Sequence, residues 1–313
     1  MGVNNKVTVC ICTYNKYDVL YKCLQSIVKQ TAPTDVYDVL IIDNTPNILS
    51  RRAGTNHSRV VDLVTQLPNA TYIHREDLDG LSECRNHAAN ICENEFIYYI
   101  DDDIILEPSA VECARDYLST NIDVAVIGGK TLPEYDTEVP SWVTDQLKSC
   151  LSVIDYGDDI KPLEKNMWLV GANAVFNVKQ LKYFGLFNTQ LGRKGNSRSL
   201  LSSEETRLIS KIRESGKYKI IYNPKLVAHH MIDATRLTPS WFMKRRGWQA
   251  VSDILAHDYY MSGPPHDEQL EQYIKDNIDV LFSNDENDTE KKTRLAQLLI
   301  YRVLLTGDLN EPD

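Results

Sequence analysis

Long apolar runs are missing from this sequence. No stretch of about 18 apolar residues occurs in its 313 residues, and the amino terminus lacks the charged-then-apolar pattern of an export signal. We therefore expect neither a membrane-spanning nor an exported protein, and we predict a cytoplasmic location. Hydrophobic residues make up 42% of the chain and charged residues 25%, which is typical of a globular protein with a sizeable core.

An excess of positive charge is also absent. The 34 lysines and arginines are outnumbered by 44 aspartates and glutamates, so the formal net charge is -10 at pH 7. Binding to nucleic acid depends on clustered positive charge, and aromatic-rich basic patches are missing too. We therefore expect no nucleic-acid partner.

Cysteines with metal-binding or redox spacing are missing as well. The seven cysteines are an odd number, and none forms a Cys-x-x-Cys pair or a zinc-type spacing. Cys10 and Cys12 alternate with Val9 and Ile11. We interpret these two thiols as small core residues of a buried strand in a reducing compartment.

The sequence does contain an alternation of short apolar runs and helical patterns. Residues 7–12 form an apolar run, and residues 17–30 carry apolar side chains at helical spacing. This alternation predicts a Rossmann-like α/β fold, with a mostly parallel sheet and helices on both faces. The other predicted strands are 39–42, 96–100, 124–127, 168–176 and 218–222, and the other predicted helices are 81–92, 109–118 and 201–214.

Two later parts of the chain have different patterns. Residues 131–167 are punctuated by prolines and are expected to be rich in loops. After about residue 236 the pattern is helical and lacks strand signals. We therefore predict an α/β domain over residues 1–236 and a helical extension over residues 237–313.

Three consecutive carboxylates follow the predicted strand 96–100. Asp101, Asp102 and Asp103 are flanked on both sides by apolar residues. Adjacent carboxylates repel one another unless a cation, a helix end or water compensates them, and their hard oxygens suit Mg²⁺ or Mn²⁺. Ligands of parallel sheets bind beyond the carboxyl ends of the strands. We predict a divalent-cation site here, with a solvated acidic turn as the alternative.

Two further groups stand at the ends of predicted elements. A Ser-Ser-Glu-Glu run opens the predicted helix 201–214, where a serine is expected to cap the helix. Capping does not need both Glu204 and Glu205, so one of them is free to accept a proton from a hydroxyl. His229 and His230 follow an apolar run, where an imidazole either completes the acidic site or is structural.

Taken together and in order, these motifs resemble those of the family-2 glycosyltransferases, which have the GT-A fold. Residues 9–16 resemble the first-strand Thr-Tyr-Asn-Arg motif, with Lys16 in place of the arginine. Residues 78–86 resemble the Gly-Leu-Ser-x-Ala-Arg-Asn segment, and residues 99–103 resemble the Asp-x-Asp strand. The match also includes the second strand at 39–44, the acceptor-side strand at 168–176, Glu204 and Glu205 at the Glu-Asp pair, and His230 with Arg236 six residues later.

The resemblance implies a metal-dependent, inverting transfer of a sugar from a nucleoside diphosphate sugar, commonly a UDP- or dTDP-sugar. The acceptor is a hydroxyl of a glycan, lipid-linked or small molecule. The resemblance assigns Mn²⁺ or Mg²⁺ to Asp103 and His230, and catalysis to Glu205 and Glu204, with Glu205 as general base. It puts Gly171, Ala172 and Asn173 on the acceptor side, and it implies nucleotide-sugar contacts by Thr13, Tyr14, Asn15, Asp43, Arg85, Asp101 and Asp102.

Several alternatives remain open. Taken singly, Thr13 is a candidate helix cap, Asp43 a turn cap and Arg85 a surface ion-pair partner. A sugar-nucleotide pyrophosphorylase is disfavoured because residues 12–17 contain no glycine. A non-catalytic sugar-nucleotide-binding subunit of a glycan-assembly complex is the alternative from another class.

The helical extension also allows more than one interpretation. The basic group Lys244–Arg246 lies among three aromatic residues. It is either an interfacial helix at the inner face of a membrane or part of a helix whose aromatic side chains pack on the main domain. The distal helices, including residues 295–305, either cover the acceptor side or form a homodimer contact.

Overall fold

The computed structural model describes residues 6–195, 197–256 and 268–306. The strands are β1 Val7–Thr13, β2 Tyr37–Asp43, β3 Ala70–His74, β4 Phe96–Asp101, β5 Ile104–Leu106, β6 Val124–Tyr135, β7 Lys161–Pro162, β8 Asn173–Asn177 and β9 Lys219–Ile232. The helices are α1 Tyr17–Val28, α2 Asn47–Ala53, α3 Thr55–Thr65, α4 Leu81–Ile91, α5 Ala110–Thr120, α6 Asp145–Lys148, α7 Val178–Tyr183, α8 Glu204–Glu214, α9 Pro239–Ala256, α10 Glu268–Asn277 and α11 Thr289–Thr306.

The described strands form one mixed, mostly parallel sheet. Its order is β3-β2-β1-β4-β8-β6-β9-β5, and β7 pairs with β9 outside this path. Strands β3, β2, β1 and β4 are parallel to one another, whereas β8 is antiparallel to both β4 and β6. Helices pack against this sheet, which confirms the predicted α/β class. The register places Thr13 beside Asp43 and Cys12 beside Asp101, so the polar ends of three strands meet at one edge.

The core explains why the central strands are apolar throughout. All seven residues of β1 are buried, because strands lie on both sides of it and helices cover its faces. Cys10 and Cys12 are free thiols within this core, as predicted. Helix α1 buries one stripe that includes Leu20, Leu24 and Ile27.

Several predicted boundaries are wrong. The strand predicted at 168–176 begins only at Asn173, and at Gly171 a Cβ would lie 2.5 Å from Nη1 of Arg85. Part of the expected loop region belongs to β6, which continues to Tyr135. Strand β9 is much longer than residues 218–222 and carries both His229 and His230.

The expected serine cap of the helix at residues 201–214 is also wrong. Helix α8 starts at Glu204, and the preceding Ser203 has a left-handed φ of 72° and makes no side-chain capping hydrogen bond. Its hydroxyl instead accepts a hydrogen bond from Gln249 and contacts Asp253, both on α9. The start of α8 is thus held by tertiary contacts with the helical extension.

The described part of the extension is helical, as predicted. Phe242 of α9 is completely buried beside Trp142 and Leu237, so this aromatic residue packs inward. A further apolar cluster joins α9 to α11 through Ala250, Leu295 and other residues. No helix among the described ranges is both long and apolar enough to cross a membrane. The domain boundary at residue 236 stays a prediction.

Candidate active site

A cavity of about 360 Å³ lies at the carboxyl ends of β1 and β4. Its lining carries charges of both signs, which suits a ligand with phosphate groups. The lining includes Thr13, Tyr14, Lys16, Asn44, Asp101, Asp102, Asp103, Arg193, Lys194, His230, Arg236 and Trp241. A second cavity of about 90 Å³ contains Glu205, and Ser152 lines both cavities.

Asp102 and Asp103 do not form a solvated turn. Asp102 and Asp103 are each only 5% exposed. Thr13 donates a hydrogen bond of 2.8 Å to Asp102, so its hydroxyl binds a carboxylate rather than capping a helix. The Lys16 ammonium lies 3.2 Å from Asp102 and 3.3 Å from Asp103. Arg236 donates to the same oxygen of Asp103, Oδ2, at 2.9 Å.

The surroundings of the two buried carboxyls shift their pKa values in opposite directions. Burial raises the pKa of Asp102 to about 6, more than the Lys16 charge lowers it. Burial also acts to raise the pKa of Asp103, but the nearby positive charges of Lys16 and Arg236 hold that pKa well below its usual value. Asp103 is therefore the more firmly ionised of the pair.

His230 and His229 face different surroundings because successive side chains of a strand point to opposite faces. Nδ1 of His230 contacts the carbonyl oxygen of Leu151 at 2.8 Å, so Nδ1 carries the proton. The remaining ring nitrogen, Nε2, lies 3.5 Å from Asp103 and accepts from Arg236 at 3.0 Å. His229 instead contacts Glu107 at 2.7 Å.

Arg85 is a buried bridge between the two acidic clusters, not a surface ion-pair partner. It is 2% exposed, and its two terminal nitrogens donate to Asp101 at 2.8 Å and to Glu204 at 2.9 Å. The faces of Tyr99 and Phe187 are each 5.7 Å from its guanidinium carbon. Arg85 lies beneath the larger cavity rather than in its lining.

Asp43 is also placed beneath the cavity. It is fully buried and accepts hydrogen bonds from the hydroxyls of Tyr17 and Tyr72 and from the backbone N–H of Thr45. The last of these contacts closes a short turn, in agreement with the structural alternative. The neighbouring Asn44 lines the cavity instead.

Tyr14 and Asn15 diverge at the end of β1. The ring of Tyr14 lines the larger cavity, and Gly195 packs so closely against it that a Cβ there would overlap the ring. Asn15 is exposed, has a left-handed φ of 56°, and donates its backbone N–H to Thr45. Its side chain is absent from the described lining of the cavity.

The two glutamates of α8 have different surroundings. Glu204 is 4% exposed, and burial followed by the charge of Glu205 raises its pKa to about 8, despite its bond to Arg85. Oε1 of Glu205 accepts the backbone N–H of Gly171 at 3.4 Å. Oε2 of Glu205 is buried and has no hydrogen-bond partner. Only Glu205 of this pair belongs to the described lining of the smaller cavity.

The predicted acceptor-side residues have unequal positions. Gly171 contacts Glu205 at the edge of the smaller cavity, whereas Ala172 is buried. The Asn173 amide donates to backbone carbonyls at 2.8 and 3.2 Å and accepts from Tyr98 at 2.6 Å. Asn173 therefore holds neighbouring strands together.

Sequence reasoning missed the basic segment that lines the larger cavity. Nη1 of Arg193 is buried and has no hydrogen-bond partner, and burial lowers the pKa of Arg193 to about 10. Lys194 pairs with Asp79 at 2.7 Å. The available signal was the Gly-Arg-Lys-Gly run at residues 192–195, because two glycines around two cations are typical of a tight loop at a phosphate site.

Comparisons with solved structures extend over nearly the whole chain. A mannosyltransferase, PcManGT from Pyrobaculum calidifontis, solved with GDP-Man and Mn²⁺, has a TM-score of 0.62 and 15% identity, covering 97% of this chain and 88% of that one. S. aureus TarS 1-349, solved with UDP-GlcNAc, has a TM-score of 0.55 and 16% identity, covering 98% and 94%. These likenesses show a shared GT-A fold.

Sequence comparisons identify the family. Poly(ribitol-phosphate) beta-glucosyltransferase of Bacillus spizizenii is 29% identical over 103 residues, which are 31% of this chain and 15% of that protein. The match thus spans a small part of that relative's length. The model of the family described as glycosyl transferase family 2 matches residues 8–179, more than half of the chain. This chain therefore belongs to glycosyl transferase family 2.

Proposed function

We propose that this chain transfers a sugar from a nucleoside diphosphate sugar, of UDP or dTDP type, to an acceptor hydroxyl with inversion at the anomeric carbon. The observation that carries the proposal is the pair of adjoining cavities. The larger contains Asp101–Asp103, the smaller contains Glu205, and Ser152 lines both. A donor in the larger cavity and an acceptor in the smaller one would then meet where the two cavities adjoin.

The larger cavity would hold the donor. Tyr14 and Thr13 stand at the end of β1, and Asp101 and Asp102 at the end of β4. Arg193 adds a guanidinium nitrogen without a partner, which a diphosphate oxygen would satisfy. Asn15, Asp43 and Arg85 would support the nucleotide from behind this lining. A direct contact by Asp43 would require its tyrosine donors to move away.

Mn²⁺ or Mg²⁺ is part of the proposal, with Asp103 and His230 as its protein ligands. No group of three or more His, Cys, Asp or Glu side chains forms a ready metal site within the described ranges. A carboxylate and a ring nitrogen 3.5 Å apart fit an ion that takes its other ligands from phosphate oxygens and water. When bound, such an ion would supply positive charge next to the diphosphate.

Glu205 would be the general base. Glu205 lines the smaller cavity, whereas Glu204 is absent from that lining and pairs with Arg85. Oε2 has no hydrogen-bond partner in either glutamate. Glu205 would take the proton of the acceptor hydroxyl as that oxygen attacks the anomeric carbon from the side opposite the diphosphate. An oxocarbenium-like transition state and a single inversion would follow.

A panel of UDP-, dTDP- and GDP-sugars tests the proposal. Each is measured by thermal shift with Mn²⁺ or with EDTA, and by slow donor hydrolysis without acceptor. We expect stabilisation by one nucleotide type, dependent on the metal, together with slow hydrolysis. The absence of stabilisation by any sugar nucleotide would contradict the proposal. Binding without hydrolysis or transfer would favour the non-catalytic binding subunit.

A further inference from the structure

Two side chains of opposite charge that line the smaller cavity each have one buried atom without a hydrogen-bond partner. These atoms are Nη1 of Arg245, on α9, and Oε2 of Glu205, on α8. A buried donor without a partner costs the free energy of its lost hydration. A ligand that supplied the missing partners would recover this free energy. The proposed base role accounts for the Glu205 oxygen, but not for the Arg245 nitrogen.

Hydrogen bonds from its other terminal nitrogen hold Arg245 in the wall of the cavity. Its other terminal nitrogen, Nη2, donates to Gln249 at 2.8 Å and to Ser202 at 3.3 Å. Arg246 lines the same cavity and donates to the Ser149 hydroxyl at 3.1 Å. In the part of the chain that the structure describes, no ion pair within 4 Å joins either arginine to a carboxylate.

The carboxylates of the cavity do not neutralise these cations directly. Asp253 also lines the cavity, but Tyr301 donates to one of its oxygens at 2.5 Å and Gln249 to the other at 2.6 Å. Only one carboxylate oxygen of Glu205, Oε1, accepts a hydrogen bond, from the backbone N–H of Gly171. Two guanidinium groups thus offset the repulsion that these two carboxylates would exert on a bound anion.

The size of the cavity restricts the ligand. A cavity of about 90 Å³ is small beside ligand sites of roughly 300 to 1,000 Å³, so it suits a compact charged group rather than a whole acceptor. Guanidinium groups bind carboxylate and phosphate oxygens through strong, directional hydrogen bonds. On the basis of the function proposed above, we propose that the acceptor carries a phosphate or carboxylate group beside its reacting hydroxyl. Arg245, assisted by Arg246, binds that group in the smaller cavity.

Calorimetric titration with three small acceptor analogues tests this inference. Glycerol 3-phosphate, glycerate and glycerol share a polyol end but carry phosphate, carboxylate or no charge. They are titrated into the full chain saturated with Mn²⁺ and the nucleoside diphosphate found in the donor panel, so that the donor-side cations are already occupied. We expect saturable binding of at least one anion and none of glycerol. The anion that binds more tightly shows whether the acceptor group is a phosphate or a carboxylate.

Variants on α9 locate the binding site. Arg245→Gln should weaken binding of the preferred anion about tenfold to a hundredfold, because a charge-assisted hydrogen bond is lost. Arg246→Gln should weaken it severalfold. Lys244→Gln, at an exposed position of the same helix, should leave it unchanged. Thermal melts of each variant verify that it is folded.

The results separate this inference from the proposed function. Nucleotide binding, measured in the same samples, tests the donor site by itself. If nucleotide binds but neither anion does, or if glycerol binds as well as the anions, the inference is wrong while the donor proposal stands. Anion binding that survives both arginine substitutions would also overturn it.

Discussion

At the scale of single residues, His230 and His229 are chain neighbours in different chemical surroundings. Nε2 of His230 lies beside Asp103 and Arg236, whereas His229 contacts Glu107 on the other face of β9. Contacts with the Leu151 carbonyl and with Arg236 hold the His230 ring in one orientation. A ligand held in a fixed orientation loses less entropy on binding a metal.

We therefore predict that His230→Ala weakens Mn²⁺-dependent nucleoside diphosphate binding by about 10- to 100-fold. His229→Ala is the matched control and should change this affinity little. Calorimetric titration of the nucleotide with and without Mn²⁺ measures both variants. A larger loss in His229→Ala would show that the role of the two histidines is reversed.

Glu205→Gln gives a second prediction at this scale. Glutamine keeps the size of the side chain but cannot accept the proton of the acceptor hydroxyl. We expect turnover to fall by about 10² to 10⁴-fold, the usual contribution of general-base assistance, while donor affinity changes little. Single-turnover transfer and nucleotide titration measure the two quantities separately. Full turnover in Glu205→Gln would rule out the assigned role.

At the scale of elements, Arg85 of α4 joins the end of β4 to the start of α8. Its bonds to Asp101 and Glu204 connect the proposed donor and acceptor sides through one rigid group. The left-handed Ser203 lets α8 begin with Glu204 directed at this arginine. The position of Glu205 beside the smaller cavity follows, because it is the next residue of the same first turn.

The start of α8 also predicts a pH dependence of stability. The pKa of Glu204 rises from an ordinary value of 4.5 to about 8 in the folded chain. Between these values the folded chain binds a proton that the unfolded chain has lost, so stability falls as pH rises, by at most about 1.4 kcal/mol per pH unit for one group. We expect Glu204→Gln to lose this decline.

Thermal melts between pH 6.5 and 8.5 check the prediction, since this window lies above the pKa of about 6 for Asp102. The melting temperature of the unsubstituted chain should fall more steeply than that of Glu204→Gln. Glu214→Gln, at the exposed end of α8, is the control and should keep the steeper slope. Equal slopes in all three proteins would contradict the shifted pKa.

At the scale of the whole molecule, the helical extension contacts the domain that precedes it. Trp241 lines the larger cavity, Arg245 lines the smaller one, and Phe242 fills an apolar cluster with Trp142. Helix α11 supports α9 through a separate apolar cluster. The extension is therefore well placed to influence acceptor binding and stability.

We predict that a chain ending at residue 236 still binds the nucleoside diphosphate, because the proposed phosphate and metal contacts precede that point. Its stability should be lower, since the surface covered by Phe242 becomes exposed. Nucleotide titration at low temperature, with circular dichroism to verify folding, measures the outcome. A folded truncation without nucleotide affinity would show that the boundary is misplaced.

The sequence by itself determined the α/β class, the core of β1 and the position of the acidic residues after β4. These features depend on local periodicity and on the rule that polar residues at strand ends meet at one edge of a sheet. The ordered motifs likewise predicted the family. Boundaries such as the starts of β8 and α8 were missed because contacts with Arg85 and α9 override the local pattern.

Only the tertiary structure decided what each polar side chain contacts. Arg85, Asp43 and Thr13 have partners far away in the chain, so no local pattern reveals that they are buried under or beside the cavity. The unsatisfied nitrogens of Arg193 and Arg245 are equally invisible in the sequence. Burial and hydrogen bonding are properties of the packed chain, because the groups that exclude water come from segments that meet only when it folds.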